Sequence, residues 1–383
     1  MERKPEFDDI RPYYDEEVAP AIGKLLKNPQ FQEIMKYLFP EEKRGQVEKL
    51  MQTFTSKYNF QAFFIRGVVW DLLHRTATGV SCKGFENVSK MNARVYISNH
   101  RDIVLDPAIL NVLLFDNGFE TVEIAIGDNL LLADWIKDIV RLNKSFLVKR
   151  SASLRQLLEV SQHLSRYIHH TILDKNQSIW IAQREGRAKD SNDRTQESLL
   201  KMLAMAGDQS FLKNLAELNL TPVTFSYEYD PCDYLKAKEY QQKRDNPDFN
   251  KSQDDDLLNM QTGLLGNKGR IHLQIGRPIN PPLLKLNNSA GKNELAFQVA
   301  DIIDRAIFLN YQFYPINYVA YDRLVENGLF SEKYTLEDVE NAERYFQQQL
   351  DKIDLPDKDV PFLMKIMLEM YANPVKNFIE ASR

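Results

Sequence analysis

The sequence predicts an α/β fold: a mostly parallel central sheet flanked by helices, with helical extensions at both ends. Three observations carry this expectation. Seven short apolar runs, at 79–83, 94–98, 122–126, 145–149, 178–182, 221–227 and 270–275, have strand length and strand composition. Amphipathic stretches near 107–115, 129–142, 152–172 and 195–206 lie between them, the alternation that parallel strands with helical crossovers produce. Outside this zone the apolar period is helical only. The chain therefore divides into an N-terminal helical region (1–78), an α/β domain (79–285) and a C-terminal helical region (286–383).

In the N-terminal region, Ile22, Leu25 and Leu26 share a face until Asn28-Pro29 interrupts it; Phe31, Ile34, Met35 and Leu38 repeat the face until Phe39-Pro40. Phe60, Phe63, Phe64, Gly67, Val68, Trp70, Leu72 and Leu73 form a strongly apolar helix. Packing against the next domain and facing a membrane are both open readings for it. Within the α/β domain, residues 243–256 are polar and turn-rich and read as a surface excursion. Beyond Pro281-Pro282, Phe297, Ile302, Ile303 and Ile307 give one periodic face, and further helices follow near 335–353 and 360–380.

Composition narrows the classes of function. The 383 residues carry a net charge of −5, with 43% hydrophobic and 27% charged residues. These are ordinary globular values, and the mildly acidic balance does not suggest nucleic acid. Cys82 and Cys232 are the only cysteines, so no disulfide framework is implied. His169-His170 is a bare pair, and no Cys/His cluster has metal-ligand spacing. The charged N-terminus is not expected to be a secretion signal. Charges interrupt every run approaching the roughly 18 apolar residues a membrane span needs, so work on lipid would proceed from the membrane surface.

Four segments bear chemistry. Asn99-His100 follows an apolar strand, and Asp106-Pro107 opens the next helix. A histidine fixed at a strand end with a carboxylate nearby is the arrangement of a general base; Asp-Pro is equally an ordinary helix start. Ser145 to Arg150 is a strand ending in Lys149 and Arg150, followed by Ser151 as a helix cap, which reads as an anion site or as a solvated basic turn. Ser178 to Arg187 runs from a buried strand into a loop with Arg184, Glu185, Gly186 and Arg187, where glycine allows close approach and arginine grips phosphate. Thr221-Pro222-Val223 starts a core strand that could line an acyl cleft.

In this order the four blocks resemble those of the glycerolipid acyltransferases, the family of glycerol-3-phosphate and lysophosphatidate acyltransferases, over roughly residues 79 to 280. The resemblance implies His100 as catalytic base and Asp106 as its partner. It implies Arg150 at the acceptor phosphate, with Glu185, Gly186 and Arg187 as the third block and Pro222 as the fourth-block proline. Two departures stand out. Five residues separate His100 from Asp106 where the family has four, and one residue is missing between Gly186 and the arginine. Asp102 is too close to fit the pattern.

The implied reaction moves a fatty acyl group from acyl-CoA or acyl carrier protein to a hydroxyl of lysophosphatidate or glycerol 3-phosphate. It needs no cofactor beyond the acyl donor, and it places the protein in the cytoplasm at the inner membrane face. Amides near the helix after Asp106 are candidates to stabilise the oxyanion. Lys144, Lys149, Arg150, Arg184, Arg187, Lys189 and Arg194 concentrate positive charge on loops of an acidic chain, which suits a phosphorylated acceptor, an anionic membrane or an acidic carrier. The absence of a Gly-x-Ser-x-Gly elbow argues against an acyl-serine hydrolase. The alternatives are O-acylation of another lysolipid, such as a lyso-aminolipid, and a non-catalytic peripheral lipid-binding protein.

Overall fold

The computed structural model describes residues 4–131, 133–150 and 156–383. The expected cap Ser151 lies outside the described residues.

All seven expected strands form: β1 (Ala77–Lys83), β2 (Val95–Ser98), β3 (Glu123–Gly127), β4 (Ser145–Val148), β5 (Ile179–Ala182), β6 (Thr221–Tyr227) and β7 (Gly269–Ile275). They make one sheet in the order β1-β7-β6-β2-β5-β3-β4. The five strands from β6 to β4 are parallel; β7 is antiparallel to β6, and β1 runs with β7. β2 is thus the central strand, and all four of its residues are buried. That explains its unbroken apolar run, since a central parallel strand is covered on both faces.

Each face has its own core. On one, the helices Arg66–Thr76 and Leu105–Asp116 pack Val69, Leu73, Ile109, Leu110 and Leu114 onto Tyr96, Ile124, Trp180 and Phe225. On the other, Leu157–His169, Glu197–Leu203, Phe211–Glu217 and Lys292–Phe308 cover Val95, Ile97, Phe146, Ile179 and Ile181. Burial of each such side chain contributes about 1.5–3 kcal/mol. Helices from both flanking regions therefore close the sheet. The remaining N-terminal helices form a cluster around Phe31, Phe54 and Phe60. Asp233–Asp245, Pro315–Val325, Leu336–Asp351 and Val360–Ala381 form a C-terminal bundle.

Four expectations need correction. The polar stretch 243–256 is not simply a loop: the helix Asp233–Asp245 runs into it and Gln253–Leu265 begins within it. The first hides Lys236, Glu239 and Gln241 on its buried side, so it has no apolar period to read. The second starts at a Ser252–Asp255 capping box. The helix near 129–142 begins only at Asp134, after a short turn at Asp128–Leu130. Phe297 is exposed although Ile303 and Ile307, on the same expected face, are buried. The apolar 60–73 segment divides as well: Phe60 and Phe64 are core, while Phe63 points outward.

Candidate active site

β2 ends at Ser98, and the two residues beyond it are fixed before any side-chain chemistry begins. Asn99, fully buried, accepts the Phe225 N–H at 2.8 Å and donates to the Phe225 carbonyl at 2.9 Å, tying the loop to β6. His100 follows, with its ring edge-on to Trp180 of β5 at 5.5 Å. Its Nδ1 lies 2.8 Å from Asp106 Oδ2. Because that oxygen is an acceptor, Nδ1 is the protonated nitrogen and Nε2 carries the lone pair.

Asp106 is completely buried at the second position of the helix Leu105–Asp116. Its Oδ2 also accepts the N–H groups of Arg101 (2.6 Å) and Asp102 (3.1 Å), and its Oδ1 accepts the Tyr227 hydroxyl at 2.9 Å. Asp102 turns away from the histidine. Its Oδ1 accepts the N–H groups of Val104 (2.9 Å) and Leu105 (2.7 Å), and the helix starts one residue before the expected Asp-Pro, with Val104 rather than Asp106 at its N-cap. Burial, then the charge of Asp106, raises the Asp102 pKa. The amides of 101, 102, 104 and 105 are consequently already engaged.

Arg101 anchors the loop from the other side, with Asp193 accepting from both of its terminal nitrogens at 2.6 and 3.3 Å. Tyr311 donates to the same carboxylate at 2.5 Å.

The remaining expected residues spread along the carboxyl edge of the sheet. Arg150 leaves β4, passes Gly127 of β3 and pairs with Glu185 beyond β5. A Cβ at position 127 would come within 3.0 Å of Arg150 Nε, so glycine there lets the guanidinium cross the strand end. Lys149 pairs with Asp9 at 2.5 Å, which ties it to the N-terminal segment. Gly186 has φ +67, a left-handed turn suited to glycine. Arg187 reaches the opposite way, donating to Asn259 of the helix Gln253–Leu265 at 3.2 Å. Among the described residues no carboxylate lies within ion-pair distance of it. Pro222 is buried in β6 opposite Ile97, below the level of His100, and its carbonyl accepts from Gly276 at 2.8 Å.

The expected basic cluster is largely neutralised. Lys144 is buried against Thr121, Lys189 pairs with Glu239, and Arg194 with Glu380. What the fold brings together is His100, Asp106 and Tyr227, with Asp102 close by against Gly263, where a side chain would clash with its carboxylate. Arg150 and Glu185 form a separate pair. Sequence reasoning missed Tyr227, Asn259, Gly263 and Gly127. For Tyr227 a signal existed, since the last residue of a strand next to β2 must lie at the same edge as His100.

Residues 79–226 match the family model described as Acyltransferase. This span holds all four of the chemistry-bearing segments. It begins in β1 and ends one residue short of Tyr227, taking in His100, Asp106, Arg150, Arg187 and Pro222. No curated protein matches the chain in sequence. Among solved structures, the chain is similar to the 1-acyl-sn-glycerophosphate (LPA) acyltransferase PlsC from Thermotoga maritima, at 11% identity and a TM-score of 0.35, over 74% of this chain and 91% of that one.

Proposed function

We propose that this acyltransferase moves a fatty acyl group from acyl-CoA or acyl carrier protein to a hydroxyl of lysophosphatidate or glycerol 3-phosphate, as a step of phospholipid synthesis. The observation that carries the proposal is the buried pairing of His100 Nδ1 with Asp106, which leaves Nε2 as the lone-pair nitrogen just past the central strand. Ligands bind such sheets outside the carboxyl ends of their strands.

In the proposed reaction, His100 Nε2 takes the proton from the acceptor hydroxyl as its oxygen attacks the thioester carbonyl. The tetrahedral centre collapses with cleavage of the C–S bond, and the departing sulfur takes the proton back from the imidazolium. Asp106 stabilises the imidazolium in between. Arg187, which among the described residues has no carboxylate within ion-pair distance, is the better phosphate ligand; Arg150 reaches an anion by giving up Glu185. The proposed steps use no cofactor; the acyl carrier is a substrate.

One observation favours a second reading, transfer to a lysolipid without a phosphate monoester such as a lyso-aminolipid: Lys149 and Arg150 are both already paired with carboxylates. Among the described residues no helix is long and apolar enough to cross a membrane. Work at the inner membrane face is proposed, with exposed Tyr37, Tyr58 and Phe63 on the N-terminal helices as lipid-facing side chains.

The test incubates purified protein with acyl-CoA and acyl carrier protein donors against glycerol 3-phosphate, lysophosphatidate and lyso-aminolipid, and reads the lipid product by mass spectrometry. Phosphatidate formed from lysophosphatidate supports the proposal. Product only from the lyso-aminolipid moves the assignment to the second reading, and no thioester consumption with any acceptor defeats both.

A further inference from the structure

Asp106 is held by more than the histidine it serves. Its Oδ2 takes three donors, His100 Nδ1 and the amides of Arg101 and Asp102. Its Oδ1 takes one, the hydroxyl of Tyr227, and among the described residues no other group bonds to that oxygen. We infer that Tyr227 is a positioning residue of the acyl-transfer centre, holding Asp106 so that Oδ2 alone faces His100. The inference rests on the acyl-transfer reading above.

Several features make the contact a designed one. Tyr227 is the last residue of β6, the immediate neighbour of β2. The two-way bond between Asn99 and Phe225 locks β6 to the histidine loop two residues earlier, so backbone geometry sets where the phenol arrives. Burial, then the charge of Asp106, raises the Tyr227 pKa well above its ordinary value, so the hydroxyl stays a donor. Its ring also lines a small cavity shared with Arg101, Asp230 and Tyr371, where the change to phenylalanine adds no bulk. Without the Tyr227 hydroxyl the Asp106 carboxylate is held through Oδ2 alone, and with one donor fewer it stabilises a neighbouring imidazolium more strongly.

Tyr227→Phe should therefore lower kcat by about 10- to 100-fold, the worth of one hydrogen bond to a charged group. KM for donor and acceptor should stay unchanged, and the acid limb of kcat/KM should move to higher pH. In an Asp106→Ala background the same substitution should cost nothing further. Wild-type kcat and pH profile in the Phe variant, a raised KM with unchanged kcat, or an equal loss in the Asp106→Ala background would each overturn the inference.

Proton NMR of the His100 Nδ1–H resonance supplies a readout that needs no turnover. It should move in Tyr227→Phe and vanish in Asp106→Ala. An unmoved resonance overturns the positioning role, whereas a moved resonance in a protein that turns over no acceptor counts against the functional reading alone. If the Phe variant does not fold, 3-fluorotyrosine at position 227 keeps ring and hydroxyl while altering the donor, and an unmoved resonance there has the same force.

Discussion

The ends of β2 and β4 open on the same edge of one sheet but are built to different standards. Past β2, His100 and Asp106 sit among four hydrogen bonds to one carboxylate, with Asp106 at 0% exposure. Past β4, the Arg150 and Glu185 side chains are 31% and 69% exposed and hold one another. An exposed ion pair contributes only about 0–1 kcal/mol, so an incoming anion can displace Glu185. A buried carboxylate with its donors satisfied has no such freedom. On the proposed mechanism, rigidity lies with the group that must be aligned when the proton moves, and not with the groups that must yield to a substrate.

Substitutions on the rigid side should therefore change kcat, and those on the loose side should change KM. The largest expected contrast is between the two aspartates. Asp106→Asn should reduce kcat by roughly 10²–10⁴-fold, since it disturbs the tautomer and the stabilised imidazolium. Asp102→Asn should leave kcat nearly unchanged, because an asparagine Oδ1 can accept the same two backbone N–H groups. Kinetics with a thermal melt on both variants checks this; the opposite ranking would break the comparison. Next, Arg187→Ala should raise the acceptor KM by about 10- to 100-fold through loss of charge-assisted bonds to phosphate. Arg150→Ala should raise it less, because Arg150 has to give up Glu185 before it can hold a phosphate. Substrate titrations of both variants sharpen the picture, and a larger effect at Arg150 would reverse the roles assigned to the two arginines.

The smallest expected effect lies in the C-terminal bundle. Asp233 is completely buried against the hydroxyls of Tyr345 and Tyr371, each at 2.8 Å, which lie 2.9 Å from one another. Two hydroxyl protons cannot serve all three contacts, and a proton on Asp233 supplies the third. Burial, then the charge of Asp230, raises its pKa to about 7. The folded chain thus holds a proton here that the unfolded chain releases near its ordinary value of 3.8. This contribution to stability is complete below 3.8 and is lost as pH rises through about 7. Melting temperature followed across that range should fall less in Asp233→Asn than in the wild type. An unchanged slope would show that Asp233 does not titrate there.

The sheet was legible because β2, β5 and most of β6 are runs that only a strand covered on both faces would carry. The helices Asp233–Asp245 and Gln253–Leu265 were not, since polar inward residues such as Lys236 and Glu239 erase the period that marks a helix. The pairing of His100 with Asp106 was readable through the resemblance and the Asp-Pro helix start. For Tyr227 the sheet edge was readable but its contact with Asp106 was not, nor was the contribution of Asn259, because both depend on which distant loop a strand end or helix face meets. Strand parity gives the face of a side chain, not its partner.

The central claim is that His100 is the base. The direct measurement is thioester turnover by purified wild type and His100→Ala with lysophosphatidate as acceptor, each shown to be folded by its thermal melt. The account predicts a loss of about 10²–10⁴-fold in kcat for the variant at an unchanged melting temperature. Near wild-type turnover by a folded His100→Ala protein would contradict it.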